Sequence, residues 1–237
     1  MRLSIIIPVY NEEQTVGNVI DTLLALKLKC EKEIVVIDDG STDGTEEEIK
    51  KRLKKNKKFI HAIFMTKNSG KGAAVKKGID VATGEYILIQ DADLEYSPTD
   101  IPSLLRPILI KGERMLGEKA VYGSRFMRPA VSMPTLYIFG NKMLTILTNL
   151  LCGLHLTDME TGYKLLPRSF LKSTSIISRH FDVEPEITVK LFHKKIPIEE
   201  VPISYKGRSH LSGKKLTVMD AIEAIRALFY FRFIAKE

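Results

Sequence analysis

The sequence predicts an α/β fold in which an open, mostly parallel sheet is flanked by helices. Short, β-branched apolar runs alternate with longer stretches of helical character up to residue 95, and no hairpin signal separates them. Such alternation is typical of parallel strands joined by crossover helices. A chain of 237 residues that is 44% hydrophobic and 27% charged has the size and composition of one globular domain. We therefore expect a single domain with helices on both faces of the sheet.

The apolar runs predict the strands, and the segments between them predict the helices. Four nearly continuous apolar runs are typical of strands buried on both faces, at residues 3–9, 33–38, 59–65 and 86–91. The intervening segments are long enough for crossover helices, at residues 12–28, 45–55 and 71–82. Asn11 is expected to cap the first helix, because acidic residues follow it directly. Later segments predict helices at 98–110, 134–154, 184–193 and 216–234 and extended chain at 120–124 and 196–205.

An acidic segment follows the fourth predicted strand, where the chain reads Gln90-Asp91-Ala92-Asp93-Leu94-Glu95. Ligands of parallel α/β sheets bind beyond the carboxyl ends of the strands. Side chains two residues apart on an extended chain share a face, so Asp91, Asp93 and Glu95 are expected to converge. Crowded carboxylates repel unless a cation relieves them, and hard oxygen ligands suit Mg²⁺ or Mn²⁺. The alternative is a solvated turn in which Asp91 caps the helix near Pro98, but the strand-end position favours the metal.

Two other strand ends carry groups suited to a nucleotide. After the first strand, Tyr10 can pack on a flat base while Glu12 hydrogen-bonds to it. Asp38 ends the second strand and can accept a hydrogen bond from a base or a ribose hydroxyl. The residues from Asp38 to Gly44 are also of types that favour turns and helix caps, so the segment could serve only to form a turn and cap a helix.

The segment after the third strand, residues 67–72, looks like a phosphate loop but lacks two of its residues. Met65 stands where a P-loop needs glycine, and Gly72 stands where it needs serine or threonine. The dinucleotide-binding fingerprint also fails, because Val75 stands in place of its third glycine. The sequence therefore argues against both an NTPase and a dehydrogenase.

Seven motifs occur in a fixed order along nearly the whole chain. They read PVYNEE, VIDDGSTDGT, NSGKGAAVKKGIDVATGEY, QDADLEYSP, GSRF, LTDMETGYK and EVPISY. The first five, within residues 3–130, resemble family-2 glycosyltransferases of the GT-A fold. The last two are similar to the dolichyl-phosphate mannose and dolichyl-phosphate glucose synthases. The resemblance implies an inverting, metal-dependent transferase that moves glucose or mannose from UDP-glucose or GDP-mannose to a polyprenyl phosphate.

The same resemblance implies roles for individual residues. The donor nucleotide is expected to contact Pro8, Tyr10, Glu12, Asp38, Asp91, Arg208 and Lys214. Mg²⁺ or Mn²⁺ is expected on the donor diphosphate at Asp91, Asp93 and Glu95. Arg125, Arg208 and Lys214 match basic positions that face the diphosphate or the acceptor phosphate, and catalysis is expected from Asp91, Asp93 and Arg125. The chain departs from the family at residues 128–136, which read RPAVSMPTL where relatives often carry further basic residues.

Two alternatives to transfer onto a lipid phosphate remain open: transfer onto a sugar hydroxyl, and a protein that binds nucleotide sugars without catalysis. A phosphate is already anionic near neutral pH and needs no general base, whereas a sugar hydroxyl on a growing glycan needs one. In that case Asp158 or Glu160 is the candidate base. The third hypothesis is a non-catalytic nucleotide-sugar-binding protein, against which the intact Asp91 and Asp93 argue.

Net charge and cysteine content indicate which classes of binding partner and which cellular compartment to expect. A net charge of +7 favours a polyanionic partner, but the basic residues 50–58 lack interleaved aromatic side chains, so nucleic acid is not expected. Cys30 and Cys152 have no CxxC spacing, which argues against a disulfide framework or a zinc ribbon. The N-terminus lacks a signal-peptide cleavage site, and no apolar run reaches about 18 residues. A cytoplasmic setting without a transmembrane helix is expected.

Two apolar helices raise the question of membrane contact. The predicted helices at 134–154 and 216–234 carry apolar side chains on more than one face, which either core packing or an interfacial position on a bilayer explains. With a lipid acceptor, we expect peripheral attachment to the cytoplasmic face of the membrane. The predicted organisation is a transferase domain at 1–210, with a nucleotide-binding half at 1–95 and an acceptor half at 96–210. An amphipathic helix is expected at 211–237.

Overall fold

A seven-stranded sheet runs through the computed structural model, which describes residues 1–110, 113–114, 118–128, 133–178, 180, 182–207 and 218–235. The strands are β1 (Arg2–Val9), β2 (Glu31–Asp38), β3 (Ile60–Phe64), β4 (Tyr86–Ile89), β5 (Leu109–Ile110), β6 (Glu113–Arg114), β7 (Ala120–Ser124), β8 (Lys164–Pro167) and β9 (Ile198–Pro202). Their order across the large sheet is β3-β2-β1-β4-β8-β7-β9, while β5 and β6 pair separately.

Most strand pairs of the large sheet are parallel. β1 pairs in parallel with both β2 and β4, and β2 pairs in parallel with β3. β8 runs antiparallel between β4 and β7, and β7 is parallel to β9. The predicted open, mostly parallel α/β sheet is therefore confirmed. The sequence did not predict β8, a four-residue strand whose reversed direction joins the two ends of the sheet.

Helices cover both faces of this sheet. They are α1 (Val16–Ala25), α2 (Thr45–Lys55), α3 (Lys71–Val81), α4 (Ile101–Leu105), α5 (Thr135–Cys152), α6 (Arg168–Ser173), α7 (Val183–His193) and α8 (Val218–Phe229), the last continued by a π-helical turn at Tyr230–Ile234. Ile5 of β1 belongs to the apolar cluster that contains Val16 of α1, and Ile6 belongs to the cluster that contains Val75 of α3. Successive strand residues point to opposite faces, so the continuous apolar run follows from burial on both sides.

The first helix begins later than predicted, and Asn11 does not cap it. α1 starts at Val16, and Asn11 instead has a left-handed backbone with a φ of +54°. Asparagine tolerates this conformation better than most residues. The Asn11 Oδ1 atom accepts a hydrogen bond from the backbone N–H of Thr42 at 2.8 Å. Asn11 therefore turns the chain out of β1 and ties it to the loop that follows β2.

The predicted helix at 98–110 is broken into shorter pieces. A 3₁₀ turn at Pro98–Asp100 leads into α4, and a second at Arg106–Ile108 leads into β5. Prolines at positions 98, 102 and 107 remove backbone donors, which explains why one continuous helix does not form.

The helices α5 and α8 pack together and leave apolar side chains uncovered. The Arg232 Nε–H group donates a hydrogen bond to the carbonyl oxygen of Leu151 at 2.8 Å and thereby joins the ends of the two helices. Leu144 of α5 is buried, whereas Leu136 and Leu150 are 74% and 78% exposed. Core packing therefore accounts for only part of the apolar surface of α5. Within the described residues, every helix is too short or too polar to cross a bilayer.

Candidate active site

A cavity of about 300 Å³ lies beyond the carboxyl ends of β1 and β4. It is lined by Pro8, Val9, Tyr10, Glu12, Asp39, Asn68, Gly70, Lys71, Ala74, Asp91, Ala92, Asp93 and His180. Most of these residues come from the segments that directly follow β1, β2, β3 and β4, where ligands of α/β sheets bind. The predicted nucleotide residues Pro8, Tyr10 and Glu12 thus share one cavity with the predicted metal residues Asp91 and Asp93.

The acidic segment forms a turn, so its three carboxylates do not converge. β4 ends at Ile89, and Leu94 has a left-handed backbone with a φ of +61°, which redirects the chain. Asp93 accepts a hydrogen bond from the backbone N–H of Glu95 at 3.0 Å. The Glu95 carboxylate itself accepts one from the hydroxyl of Tyr205 at 2.5 Å. Within the described residues, no three such carboxylates form a group that could hold a metal, and Glu95 is not part of the cavity lining. The metal role predicted for Glu95 stays a prediction that its placement does not favour.

Asp39, rather than Asp38, lines the cavity. Asp38 is the last residue of β2, and its Oδ1 atom accepts a hydrogen bond from the backbone N–H of Ser41 at 3.0 Å. Asp39 accepts hydrogen bonds from the N–H groups of Ser69 and Gly70, both at 2.8 Å, and so fixes the loop that begins α3. Burial raises the pKa of Asp39 above its usual range, although these two donors oppose the shift. The nucleotide role predicted for Asp38 stays a prediction that its placement does not favour.

Lys71 connects the cavity to α7. Its Nζ atom lies 3.0 Å from Asp91 Oδ1 and 3.0 Å from Glu184 Oε1 on α7. Burial alone would lower the pKa of Lys71, but the charges of Asp91 and Glu184 outweigh it and raise that pKa above its usual value. Sequence reasoning missed both Lys71 and Glu184, because residues 113 positions apart give no local signal of contact.

The backbone at Gly162 lies directly against this ion-pair cluster. A Cβ atom at this position would be 2.7 Å from Asp91 Oδ2 and 3.3 Å from Lys71 Nζ. A residue with a side chain would therefore have to displace the carboxylate or the ammonium group. Gly162 allows the loop before β8 to close over Asp91.

Arg125 and Asp158 form a buried ion pair. Arg125 Nε and Nη2 each donate to the Asp158 carboxylate at 2.7 Å, and the Arg125 backbone N–H donates to the same group at 3.0 Å. Arg125 is 5% exposed and Asp158 is fully buried. A buried cation needs a carboxylate partner. Arg125, predicted to face a phosphate, is thus held by Asp158, one of the two candidate bases. Neither residue is part of the cavity lining.

Glu160 lies in the same buried charged region. Its Oε1 atom and the Oε2 atom of Glu184 are buried, and neither has a hydrogen-bond partner among the described residues. Burial, followed by the nearby charge of Glu184, raises the pKa of Glu160. Burial lowers the pKa of Lys164, whose ammonium donates to the carbonyl oxygens of Met159 and Thr161.

Asp91 and Asp93 suit a divalent cation that binds together with a diphosphate. Both carboxylates are partly exposed and line the cavity, and Mg²⁺ is usually held by one or two carboxylates plus substrate phosphates. Within the described part of the chain, no group of three or more His, Cys, Asp or Glu side chains is placed to hold a metal without such a substrate. The predicted phosphate-contacting residues Arg208 and Lys214 lie outside the described residues.

Comparison with known proteins identifies the family. The sequence profile of glycosyl transferase family 2 matches residues 4–173, which include every residue of the cavity lining before His180. The chain belongs to glycosyltransferase family 2. The family predicted from the motifs is thereby confirmed.

Two relatives of this glycosyltransferase act, by their names, on polyprenyl phosphates. A dodecaprenyl-phosphate galacturonate synthase of Rhizobium johnstonii is 25% identical over 100% of this chain and 69% of its own length. A dolichol-phosphate mannosyltransferase of Pyrococcus furiosus is 28% identical over 91% of this chain and 61% of its own length.

Solved structures of a glucosyl-3-phosphoglycerate synthase from Mycobacterium tuberculosis share the fold of this glycosyltransferase. The complex of that enzyme with Mn²⁺, UDP and phosphoglyceric acid has a TM-score of 0.72 and 20% identity, and it covers 99% of this chain and 80% of the other. The UDP complex has a TM-score of 0.74 and 19% identity, with 99% and 81% coverage. The predicted GT-A type fold is confirmed.

Proposed function

We propose that this family-2 glycosyltransferase uses a divalent cation to transfer a hexose from a nucleotide sugar to a polyprenyl phosphate. The observation that carries the proposal is that Tyr10 and Glu12 line the same cavity as Asp91 and Asp93. The cavity thus offers an aromatic ring and a carboxylate for a nucleotide, together with oxygen ligands for its diphosphate-bound metal.

At the donor end, each group of the cavity has a distinct task. Tyr10 packs on the base, and Glu12 and Asp39 accept hydrogen bonds from the nucleoside, while Asp91 and Asp93 hold Mg²⁺ or Mn²⁺. When bound, the cation supplies Lewis-acid stabilisation of the charge that develops on the leaving diphosphate. Either UDP-glucose or GDP-mannose fits this chemistry.

At the acceptor end, the buried Arg125–Asp158 pair favours a phosphate over a hydroxyl. Both oxygens of Asp158 accept hydrogen bonds from Arg125, so Asp158 is not placed to remove a proton from a sugar. A polyprenyl phosphate needs no base, because its oxygen is already anionic. The names of the two relatives support the same acceptor class.

Transfer to a sugar hydroxyl is the second candidate function, and Glu160 is the residue that favours it. Its buried Oε1 atom has no hydrogen-bond partner among the described residues, so it can accept a proton, or a hydrogen bond from a hydroxyl group. Replacing Glu160 by Gln distinguishes the two functions, because it should abolish transfer to a hydroxyl and spare transfer to a phosphate.

Turnover assays test the proposed function directly. The purified chain is incubated with UDP-glucose or GDP-mannose, with Mn²⁺ or EDTA, and with or without a polyprenyl phosphate in detergent. A glycosylated lipid that forms only with Mn²⁺ supports the proposal. Mn²⁺-dependent hydrolysis of the donor without any lipid product contradicts the polyprenyl-phosphate acceptor. If neither donor gives any product, the result favours the hypothesis of a non-catalytic nucleotide-sugar-binding protein.

The exposed apolar side chains of α5 and α8 support peripheral attachment at the cytoplasmic face of the membrane. Phe139 and Leu150 of α5 and Phe233 after α8 are 68%, 78% and 57% exposed. Interfacial helices bury such side chains among lipid headgroups and acyl chains. In vesicle flotation, the triple variant Phe139→Ser, Leu150→Ser, Phe233→Ser should stay in the aqueous fraction. Phe59→Ser, which changes an exposed phenylalanine beside β3, is the matched control and should float like the unaltered protein.

The division of the chain also belongs to this proposal. We assign the nucleotide-binding half to residues 1–95 and the acceptor half to 96–210, with a membrane-contacting segment at 211–237. The single sheet supports a close connection of the two halves, because β8 pairs with β4 on one side and β7 on the other.

A further inference from the structure

Lys71 and a divalent cation compete for the same carboxylate. The Lys71 ammonium lies 3.0 Å from one oxygen of Asp91 and 3.3 Å from the other. A divalent cation bound to Asp91 would repel this ammonium strongly, because the region is largely shielded from water. Lys71 therefore needs a second negative partner if the carboxylate of Asp91 is to serve a metal.

Glu184 has the capacity to be that partner. Its Oε1 atom already contacts Lys71 at 3.0 Å, whereas its Oε2 atom is buried and has no hydrogen-bond partner among the described residues. Glu184 is 6% exposed, so water does not readily satisfy this oxygen. An ammonium group has three donors and can engage both oxygens of one carboxylate.

We propose that Lys71 is a positioning residue with two arrangements: without metal it is shared between Asp91 and Glu184, and when a divalent cation occupies Asp91 it leaves Asp91 and pairs with Glu184. This inference rests on the metal-dependent transfer proposed above. The free oxygen of Glu184 is the group that accepts Lys71 in the second arrangement. Metal binding in the donor half is thereby coupled to α7 in the acceptor half.

Calorimetric titration of MnCl₂ into the full chain with saturating UDP tests the coupling by affinity rather than turnover. In Glu184→Gln, Lys71 loses the charged carboxylate that would take it away from Asp91, so Mn²⁺ should bind about tenfold more weakly. In Lys71→Met, the competitor is gone and Mn²⁺ should bind more tightly than to the unaltered chain. The double variant Lys71→Met, Glu184→Gln should recover at least the unaltered affinity.

The controls separate this coupling from simple damage to α7. Glu186 is also fully buried on α7, but it pairs with Lys190 and accepts hydrogen bonds from the N–H groups of Ile177 and Ser178. Glu186→Gln should lower the melting temperature and leave Mn²⁺ affinity unchanged. If Glu184→Gln fails to fold, Lys71→Met alone still tests the inference. Tighter Mn²⁺ binding by Lys71→Met supports it, and unaltered or weaker binding overturns it.

The remaining outcomes distinguish this inference from the proposed function. If the unaltered chain takes up no Mn²⁺ with either UDP or GDP, the metal-dependent function and this inference both fail. If it binds Mn²⁺ and Glu184→Gln binds equally well, only the inference is overturned. A double variant that stays as weak as Glu184→Gln also overturns it, because Glu184 would then act through packing.

Discussion

Arg125 and Asp158 hold each other in a buried ion pair, with both N–H···O distances at 2.7 Å. Arg125 follows β7 directly, and Asp158 lies in the loop between α5 and β8, so the pair ties these two segments together. Asn141 of α5 also accepts a hydrogen bond from Arg125 at 3.0 Å. The pair therefore orders this region.

Breaking this pair should destabilise the protein strongly. Asp158→Asn leaves a buried guanidinium without its carboxylate, so we expect a loss of about 3–5 kcal/mol in the free energy of unfolding. Urea denaturation measures the loss. Glu199→Gln breaks the partly exposed pair with Lys119 and should change the same quantity by about 1 kcal/mol or less. Equal effects of the two substitutions would contradict the structural role of Asp158.

Asp93 and Glu95 should respond differently to loss of charge, although they are two residues apart. Asp93 lines the cavity, whereas Glu95 accepts a hydrogen bond from Tyr205. Asp93→Asn should lower Mn²⁺-dependent turnover about 100-fold or more, a loss typical of removing a group that stabilises charge in the transition state. Glu95→Gln should leave Mn²⁺ affinity unchanged, as measured by titration. Weakened Mn²⁺ binding by Glu95→Gln would restore the three-carboxylate site.

Glu33, at the opposite end of the sheet, should make stability depend on acid pH. Its carboxylate accepts hydrogen bonds from Ser4 at 2.5 Å and from the hydroxyl of Thr83 at 2.8 Å, and it pairs with Arg2 at 2.9 Å. Burial acts to raise the pKa of Glu33, but these partners outweigh it and hold that pKa below the usual range. A lowered pKa stabilises the fold above the unfolded value of about 4.3, and the effect is lost as the pH falls through the folded value.

Glu33→Gln should therefore lower the free energy of unfolding by about 1–3 kcal/mol at neutral pH. The difference from the unaltered chain should begin to shrink below a pH of about 4.3, where Glu33 of the unfolded chain becomes protonated, and it should be lost as the pH falls through the lower folded pKa. Urea titrations between neutral and acid pH follow the difference. Glu31→Gln at the exposed start of β2 is the control and should change stability little at any pH. A difference for Glu33→Gln that stays constant with pH would contradict the assignment.

Much of the first half of the fold is predictable from local sequence. Strands buried on both faces must be apolar throughout, so the run at 3–9 predicts β1 (Arg2–Val9) within one residue. The ends of such strands are also where ligands bind, which brings Tyr10 and Asp91 to one cavity. The later elements were less predictable, because β8 is a short antiparallel strand and the prolines after residue 97 interrupt the helical pattern.

The sequence is least informative about the site where the backbone departs from regular structure. Glu95 was expected beside Asp91 because an extended chain repeats every two residues, but the left-handed Leu94 breaks that repeat. The sequence favours Asp38 because it ends the strand, whereas Asp39, the next residue, lines the cavity; the nucleotide role of Asp38 stays a prediction. The contact between Lys71 and Glu184 depends on how α7 packs, which no local pattern contains.

Gly162 should be required for activity more than for folding. A Cβ atom there would meet Asp91 Oδ2 at 2.7 Å and Lys71 Nζ at 3.3 Å, both at the ends of side chains that can shift. Gly162→Ala should therefore displace the Asp91 carboxylate and lower Mn²⁺-dependent turnover about 100-fold, since small misplacements of catalytic groups have such effects. Gly140→Ala is the matched control, because among the described residues nothing beyond its chain neighbours and the backbone of its own helix lies within 4 Å of its Cβ position in α5. That variant should stabilise the helix by about 0.5–1 kcal/mol and keep full activity. Full turnover by Gly162→Ala would show that the loop before β8 does not constrain Asp91.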